Sequence, residues 1–174
     1  FNGFKICVGK DTIYGEEIQK IRKIMETGIP DTKNIRGDGN STSHQIMPEY
    51  VNYLNDLFRG ASEPRLTVVL DSGNGTAGLA APEVLQTMGC KVIELYSEPD
   101  GRFPNHHPDP TIPKNLATLM KTVKENRADL GIAFDGDSDR IGVEDEQGNI
   151  LWGDQLMVLF SRDILKERKG ATFV

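Results

Sequence analysis

From Leu66 onward, short and densely apolar runs alternate with stretches that are apolar on one helical face only. No other feature narrows the fold as much. Leu66-Thr67-Val68-Val69-Leu70 is nearly continuous in apolar residues, as a strand covered on both faces must be. Ala77 to Met88 follows as a helix closed by Gly89, and Lys91 to Tyr96 is the next strand. A proline-punctuated loop, Pro99 to Pro110, leads to a helix from Pro113 to about Asn126, and Leu130-Gly131-Ile132-Ala133-Phe134 is a third strand. Arg140 to Asp145 and Asn149 to Leu151 flank the turn Glu146-Gln147-Gly148, so this strand and its neighbour can be antiparallel. Gln155 to Lys169 reads as the last helix. The expectation is an α/β fold, a three-layer α/β/α sandwich on a mixed, mainly parallel sheet.

Ahead of that region the pattern is different. Phe4-Lys5-Ile6-Cys7-Val8 alternates as a strand and puts Lys5 on the face opposite Phe4, Ile6 and Val8. Ile18, Ile21, Ile24 and Met25 recur at helical spacing in Tyr14 to Thr27, a helix ended by Gly28 with Pro30 beyond it. Residues 31–43 are polar and glycine-rich, a connector that places a boundary near His44, and Met47 to Phe58 resumes as a one-sided helix. Both ends read as cut. Phe1 is not methionine, Asn2-Gly3 turns into a strand with nothing before it to pair with, and Ala171 to Val174 begins a β-like run that stops. The expectation is an excised piece of a longer protein, one domain of ordinary size with parts of its neighbours in 174 residues.

The formal charge of −6 lacks the counterion-release term of phosphate-backbone binding, so no nucleic-acid partner is expected. No apolar run reaches the roughly 18 residues of a membrane span, and the start lacks a signal-peptide layout; a cytoplasmic protein is expected. Cys7 and Cys90 lie far apart in apolar runs and read as reduced core residues.

Chemistry concentrates in Asp135-Gly136-Asp137-Ser138-Asp139-Arg140, directly after an apolar strand. Three carboxylates at alternate positions repel one another unless a cation offsets them, and an all-oxygen set favours Mg²⁺ or Ca²⁺ over zinc or copper. An EF-hand matches Asp135, Asp137, Asp139 and Glu146 but fails at its sixth position, where Arg140 replaces the required glycine, and in its flanks, which are strands. Arg140 is suited to grip an anion, phosphate first; an internal salt bridge to Asp139 or Glu144 explains it equally well. Gly73-Asn74-Gly75-Thr76-Ala77-Gly78 follows a strand, opens a helix and satisfies Gly-x-Gly-x-x-Gly, with Glu94 where a dinucleotide fold holds the ribose. Asp71-Ser72 intervenes, however, and a tight turn needing small residues is preferred. In Asn105-His106-His107-Pro108-Asp109-Pro110 the adjacent histidines point opposite ways and make a poor chelate, so a proline-shaped surface loop is expected.

Taken in order, Phe1-Asn2-Gly3-Phe4-Lys5, Asp71-Ser72-Gly73-Asn74-Gly75, Gly101-Arg102-Phe103-Pro104-Asn105-His106-His107-Pro108-Asp109-Pro110 and Asp135-Gly136-Asp137-Ser138-Asp139-Arg140 strongly resemble the α-D-phosphohexomutases. The bacterial phosphomannomutase/phosphoglucomutase branch is the nearest match. The resemblance implies a four-domain parent, of which residues 1–44 are the end of domain 1, 45–149 are domain 2 and 150–174 open domain 3. It implies phosphoryl transfer between O6 and O1 of a hexose phosphate, mannose or glucose 1- or 6-phosphate, through a phosphoserine. It also implies Mg²⁺ on Asp135, Asp137 and Asp139, a substrate-facing Arg140, and Lys5 in proton transfer. The family's Thr-Ala-Ser-His-Asn-Pro serine motif is absent, so the piece alone is expected to be inactive and to depend on the missing domains of the same chain. The other readings are a Rossmann-like dinucleotide-binding module on the Gly73–Gly78 turn and a non-catalytic interaction domain.

Overall fold

The computed structural model describes residues 4–28, 40–58 and 65–173. The chain divides into two compact units, Phe1–His44 and Gln45–Val174. In the first, β1 (Cys7–Val8) pairs antiparallel with β2 (Asp11–Thr12), Cys7 opposite Thr12, and the Ile13 amide extends the hairpin to the Ile6 carbonyl at 2.9 Å. The strand expected over residues 4–8 is therefore a two-residue arm that finds its partner within the chain, across a turn in which Gly9 takes φ +65°. Helix α1 (Glu16–Thr27) carries Glu16 and Glu17 in its first turn, where the helix dipole favours them, yet buries no residue. Cys7 is exposed and Cys90 only half-buried, which corrects their reading as core residues: Cys7 lies on a two-residue hairpin arm and Cys90 immediately before the strand at Lys91–Leu95. The Asn2-Gly3 turn, Pro30, most of the connector and Val174 lie outside the described residues, and residues 171–173 form no strand.

The second unit is built on a five-stranded sheet in the order β4-β3-β5-β6-β7. Strands β3 (Thr67–Asp71), β4 (Lys91–Leu95) and β5 (Leu130–Phe134) are parallel, β6 (Ile141–Asp145) is antiparallel to β5, and β7 (Ile150–Leu151) is antiparallel to β6 and so returns to the direction of the first three. Central β3 is buried at every residue from Val68 to Asp71, so both of its faces are covered, as its unbroken apolar run requires. Val69 and Ala133 turn to one face and pack with Leu119 and Val123 of α4 (Ala117–Asn126) and with Leu116 of the 3₁₀ turn before it. Helix α2 (Ile46–Leu57) meets α3 (Ala81–Thr87) through Val51, Ala80 and Val84, and α3 lies against β4. The helix expected over residues 77–88 is split, a 3₁₀ turn at Thr76–Leu79 preceding α3. Helix α5 (Gly153–Glu167) closes the unit. The fold is the α/β sandwich on a mixed sheet that the alternation implies. Among the described residues no helix is long and apolar enough to cross a membrane.

Candidate metal centre

Because β3 and β5 are adjacent and parallel, with Asp71 opposite Ala133, the loops that leave their C-terminal ends emerge side by side. Open α/β sheets hold their ligands at this edge. The loop after β5 curls back on its first residue. Asp135, 2% exposed, receives the Arg140 backbone N–H on Oδ1 at 3.0 Å and the Arg140 guanidinium on Oδ2, Nε at 2.9 Å and Nη2 at 2.8 Å. The Ser138 amide donates to the Asp135 carbonyl at 3.2 Å, with Ser138 itself at φ +65°. This closure brings Asp135, Asp137 and Asp139 together, each offering one oxygen within 4.8 Å of the others. Burial lifts the Asp135 carboxyl, but the Arg140 N–H and guanidinium outweigh it and hold the group below the usual carboxylate range. Asp137 and Asp139 stay in water.

The arrangement fits a hard divalent cation: three convergent carboxylate oxygens, two of them solvent-facing so that water completes the shell, and no sulfur or imidazole donor in the group. Arg140 is a partner of this loop, its Nη1 3.6 Å from Asp109 and its Nε 3.7 Å from Asp139, while half of its side chain remains in solvent. Lys5 is exposed and belongs to the first unit, outside β1.

The neighbouring glycine-rich turn is occupied by the fold. Asp71, fully buried, accepts the Gly73 N–H at 2.8 Å, and Gly73 and Asn74 both take left-handed φ. A Cβ on Gly75 would lie 2.7 Å from the Gly136 carbonyl oxygen, and one on Gly78 would lie 1.9 Å from that of Ser97. The Thr76 amide, which a bound pyrophosphate would need, donates to Gly136 at 3.1 Å, and the Thr76 and Ser138 hydroxyls share a hydrogen bond at 3.0 Å. These glycines permit close approach of loops, so the dinucleotide reading is not favoured.

The segment read from sequence as a surface loop is a structural seat. Pro108 and Pro110 are buried, and only His107 of the two histidines faces water. His106 reaches the Asp71 carboxylate with Nε2, 3.0 Å from Oδ2 and 3.2 Å from Oδ1. Asn105 donates to the Asn74 side chain at 2.7 Å, and Asn74 donates to the Glu98 carbonyl at 2.8 Å. Sequence reasoning named Asp71, Asn74 and His106 but gave them no joint role; an aspartate following a nearly continuous apolar run was the available signal, because a buried carboxylate needs a partner from elsewhere. Glu144, offered from the sequence as a salt-bridge partner of Arg140, is not among its ion pairs, which run to Asp109, Asp135 and Asp139. Glu144 is fully buried, neither carboxylate oxygen has a hydrogen-bond partner among the described residues, and burial followed by the Asp71 charge pushes its pKa up to about 7.

A family model described as phosphoglucomutase/phosphomannomutase, alpha/beta/alpha domain II, matches residues 48–148, the span that carries β3 to β6 and all three loops. The chain belongs to this family. Relatives in the phosphoglucomutase/phosphomannomutase family include a phosphomannomutase/phosphoglucomutase of Pseudomonas aeruginosa, 43% identical over 176 residues, and a phosphoglucomutase of Neisseria meningitidis, 40% identical over 175; both alignments cover 100% of this chain. A crystal structure of a phosphoglucomutase/phosphomannomutase family protein from Burkholderia thailandensis superposes with a TM-score of 0.76 at 36% identity, over 91% of this chain and 33% of that one. The chain spans little more than a third of the length of its relatives, 36% and 37% for the two named.

Proposed function

We propose that this chain supplies the metal-binding loop of a phosphomannomutase/phosphoglucomutase, a cytoplasmic enzyme that moves a phosphoryl group between O6 and O1 of a hexose phosphate by way of a phosphoserine. The observation that carries the reading is the convergence of Asp135, Asp137 and Asp139 within 4.8 Å at the end of β5, in a chain of this family. In this reading the three carboxylates hold Mg²⁺. The ion, when bound, supplies charge withdrawal from the phosphoryl oxygens. Arg140 has two tasks that its geometry allows together: its Nε and Nη2 orient Asp135, and its solvent-facing half meets an anionic sugar phosphate. Lys5 serves proton transfer at the reacting hydroxyl once the whole active site is assembled.

Residues 1–44 then close domain 1, 45–149 form domain 2, and 150–174 open domain 3. Mannose and glucose 1- and 6-phosphates are the substrates of the complete enzyme, and its other domains are this chain's working partners. No Thr-Ala-Ser-His-Asn-Pro segment occurs in the 174 residues, so they are inactive by themselves. Calorimetric titration with Mg²⁺ tests the reading: weak binding is expected for the chain and none for Asp137→Asn, with no conversion of mannose 1-phosphate to mannose 6-phosphate by either. Equal binding by the two proteins would remove the loop as the ligand set, and turnover by the chain would overturn its inactivity.

A further inference from the structure

We infer that His106 is a positioning residue: locked on the buried Asp71 carboxylate, it holds the proline-rich segment against the acidic loop and so sets the spacing of the carboxylates at 135, 137 and 139. Its consequence for metal binding rests on the proposed function; its mechanical part does not.

Both ring nitrogens of His106 face acceptors. Nδ1 is 2.9 Å from the His107 carbonyl, which can only accept, so Nδ1 carries a hydrogen. Nε2 meets both Asp71 oxygens, a contact that needs a second proton, held either on Nε2 or on the carboxyl. The pair is thus a charge-assisted or proton-sharing hydrogen bond, at a carboxylate with no access to water and a ring only 15% exposed. Tyr96 fixes the ring plane from its edge, with centroids 5.4 Å apart and planes at 74°. Besides Tyr96, Glu144 on β6 interacts electrostatically with Asp71, and Lys124 with Glu144.

From this anchor the contacts run straight to the acidic loop. Pro108, two residues on, sits against Gly73, where a Cβ would lie 2.9 Å from its own Cβ. Pro108 and Phe103 also cover Gly136, each 3.5 Å from the position of a Cβ there. Gly136 is the residue between Asp135 and Asp137, and its carbonyl accepts the Thr76 amide at 3.1 Å. Asp109, next along, reaches Arg140 at 3.6 Å. Gly136 is thus clamped between Pro108 and Thr76, and the jaw that carries Pro108 is fixed by His106.

Backbone amide hydrogen exchange on the metal-free 174-residue chain tests the clamp directly. In His106→Ala, the Ser138 and Arg140 amides, both bonded to Asp135, should exchange about tenfold faster, the loss of roughly one good hydrogen bond, while Val69 and Leu70 in central β3 stay slow. His106→Gln keeps a donor for Asp71 and should restore most of the protection. Should His106→Ala fail to fold, Asp71→Asn against His106→Gln makes the same comparison. Mg²⁺ titration of these proteins should show affinity falling about tenfold in step with exchange. Unchanged exchange at Ser138 and Arg140, with only Gly73 and its turn loosened, would overturn the positioning role. Faster exchange in a chain whose parent form binds no Mg²⁺ would support the clamp and overturn the metal reading.

Discussion

Two loops leave adjacent parallel strands at one edge of the sheet, and they use their polar groups in opposite ways. In the turn after β3, Asp71 is consumed by Gly73 and His106, Asn74 by Glu98 and Asn105, and Thr76 by Gly136 and Ser138. Of the three carboxylates in the loop after β5, only Asp135 is buried under hydrogen bonds from Arg140, and the other two remain in water. A pattern of glycines and a pattern of acids can each read as a binding loop in sequence, but here the second is the one that keeps carboxylates in water. The first exists so that the second can be approached closely. The sharpest way to break this contrast is Gly78→Ala, since a methyl there would stand 1.9 Å from the Ser97 carbonyl oxygen, backbone that cannot swing aside. The expected loss is about 4 kcal/mol of folding stability or failure to fold, read by urea denaturation. A loss under about 1 kcal/mol would mean that the turn is not held by packing.

The next largest effect lies on β6, two strands from β3 in the sheet. Glu144 pairs with Gly131 across β5 and β6, and the open side of Gly131 admits its Cβ beside Val123 and Leu119. Burial first, then the Asp71 carboxylate and Asp145, raise its pKa from 4.5 to about 7, against a smaller opposing pull from Lys124. Because the folded pKa lies above the unfolded one, the folded state binds the extra proton between them. Its contribution to stability is therefore largest at low pH, falls as pH rises from about 4.5 to about 7, and stays low above that. Glu144→Gln should abolish this slope and stabilise the protein at pH 8 by on the order of 2 kcal/mol, less than the full shift allows because the amide also lacks partners. At pH 4.5 the two proteins should unfold at nearly the same urea concentration. A parallel pH dependence in both would show that Glu144 has the same pKa in the folded and unfolded states.

The sheet was legible because its strands are buried on both faces or on one, and burial writes itself into residue choice: Val68 to Leu70 and Leu130 to Phe134 are read directly as strands. So was the acidic loop, whose three aspartates lie within five consecutive residues. What escaped were interactions between segments far apart in sequence. Asp71 and His106 are 35 residues apart and Thr76 and Ser138 are 62 apart, and nothing local marks either pair. The first unit misled for the opposite reason. Ile18, Ile24 and Met25 keep helical spacing, and Phe4 and Val8 keep strand spacing, but all are exposed, so periodicity here reports a face without reporting what lies against it.

The smallest effect tests the other half of the contrast. Asp139 has 73% of its side chain in solvent and meets only the edge of Arg140 at 3.7 Å, while Asp137 repels it from the same loop. Removing its charge in Asp139→Asn loses a weak attraction and relieves a weak repulsion, both screened by water. Without metal, unfolding free energy should change by less than about 0.5 kcal/mol, whereas the equivalent change at Asp135, which Arg140 holds from two sides, should cost several times more. With millimolar Mg²⁺ the comparison should reverse in interest: a ligand that binds only the folded state raises the unfolding midpoint, and Asp139→Asn should lose that rise while leaving the metal-free midpoint untouched. A side chain that matters only when the ion is added is serving the site and not the fold; a midpoint that falls without metal would place Asp139 with Asp71, among the carboxylates the structure has already consumed.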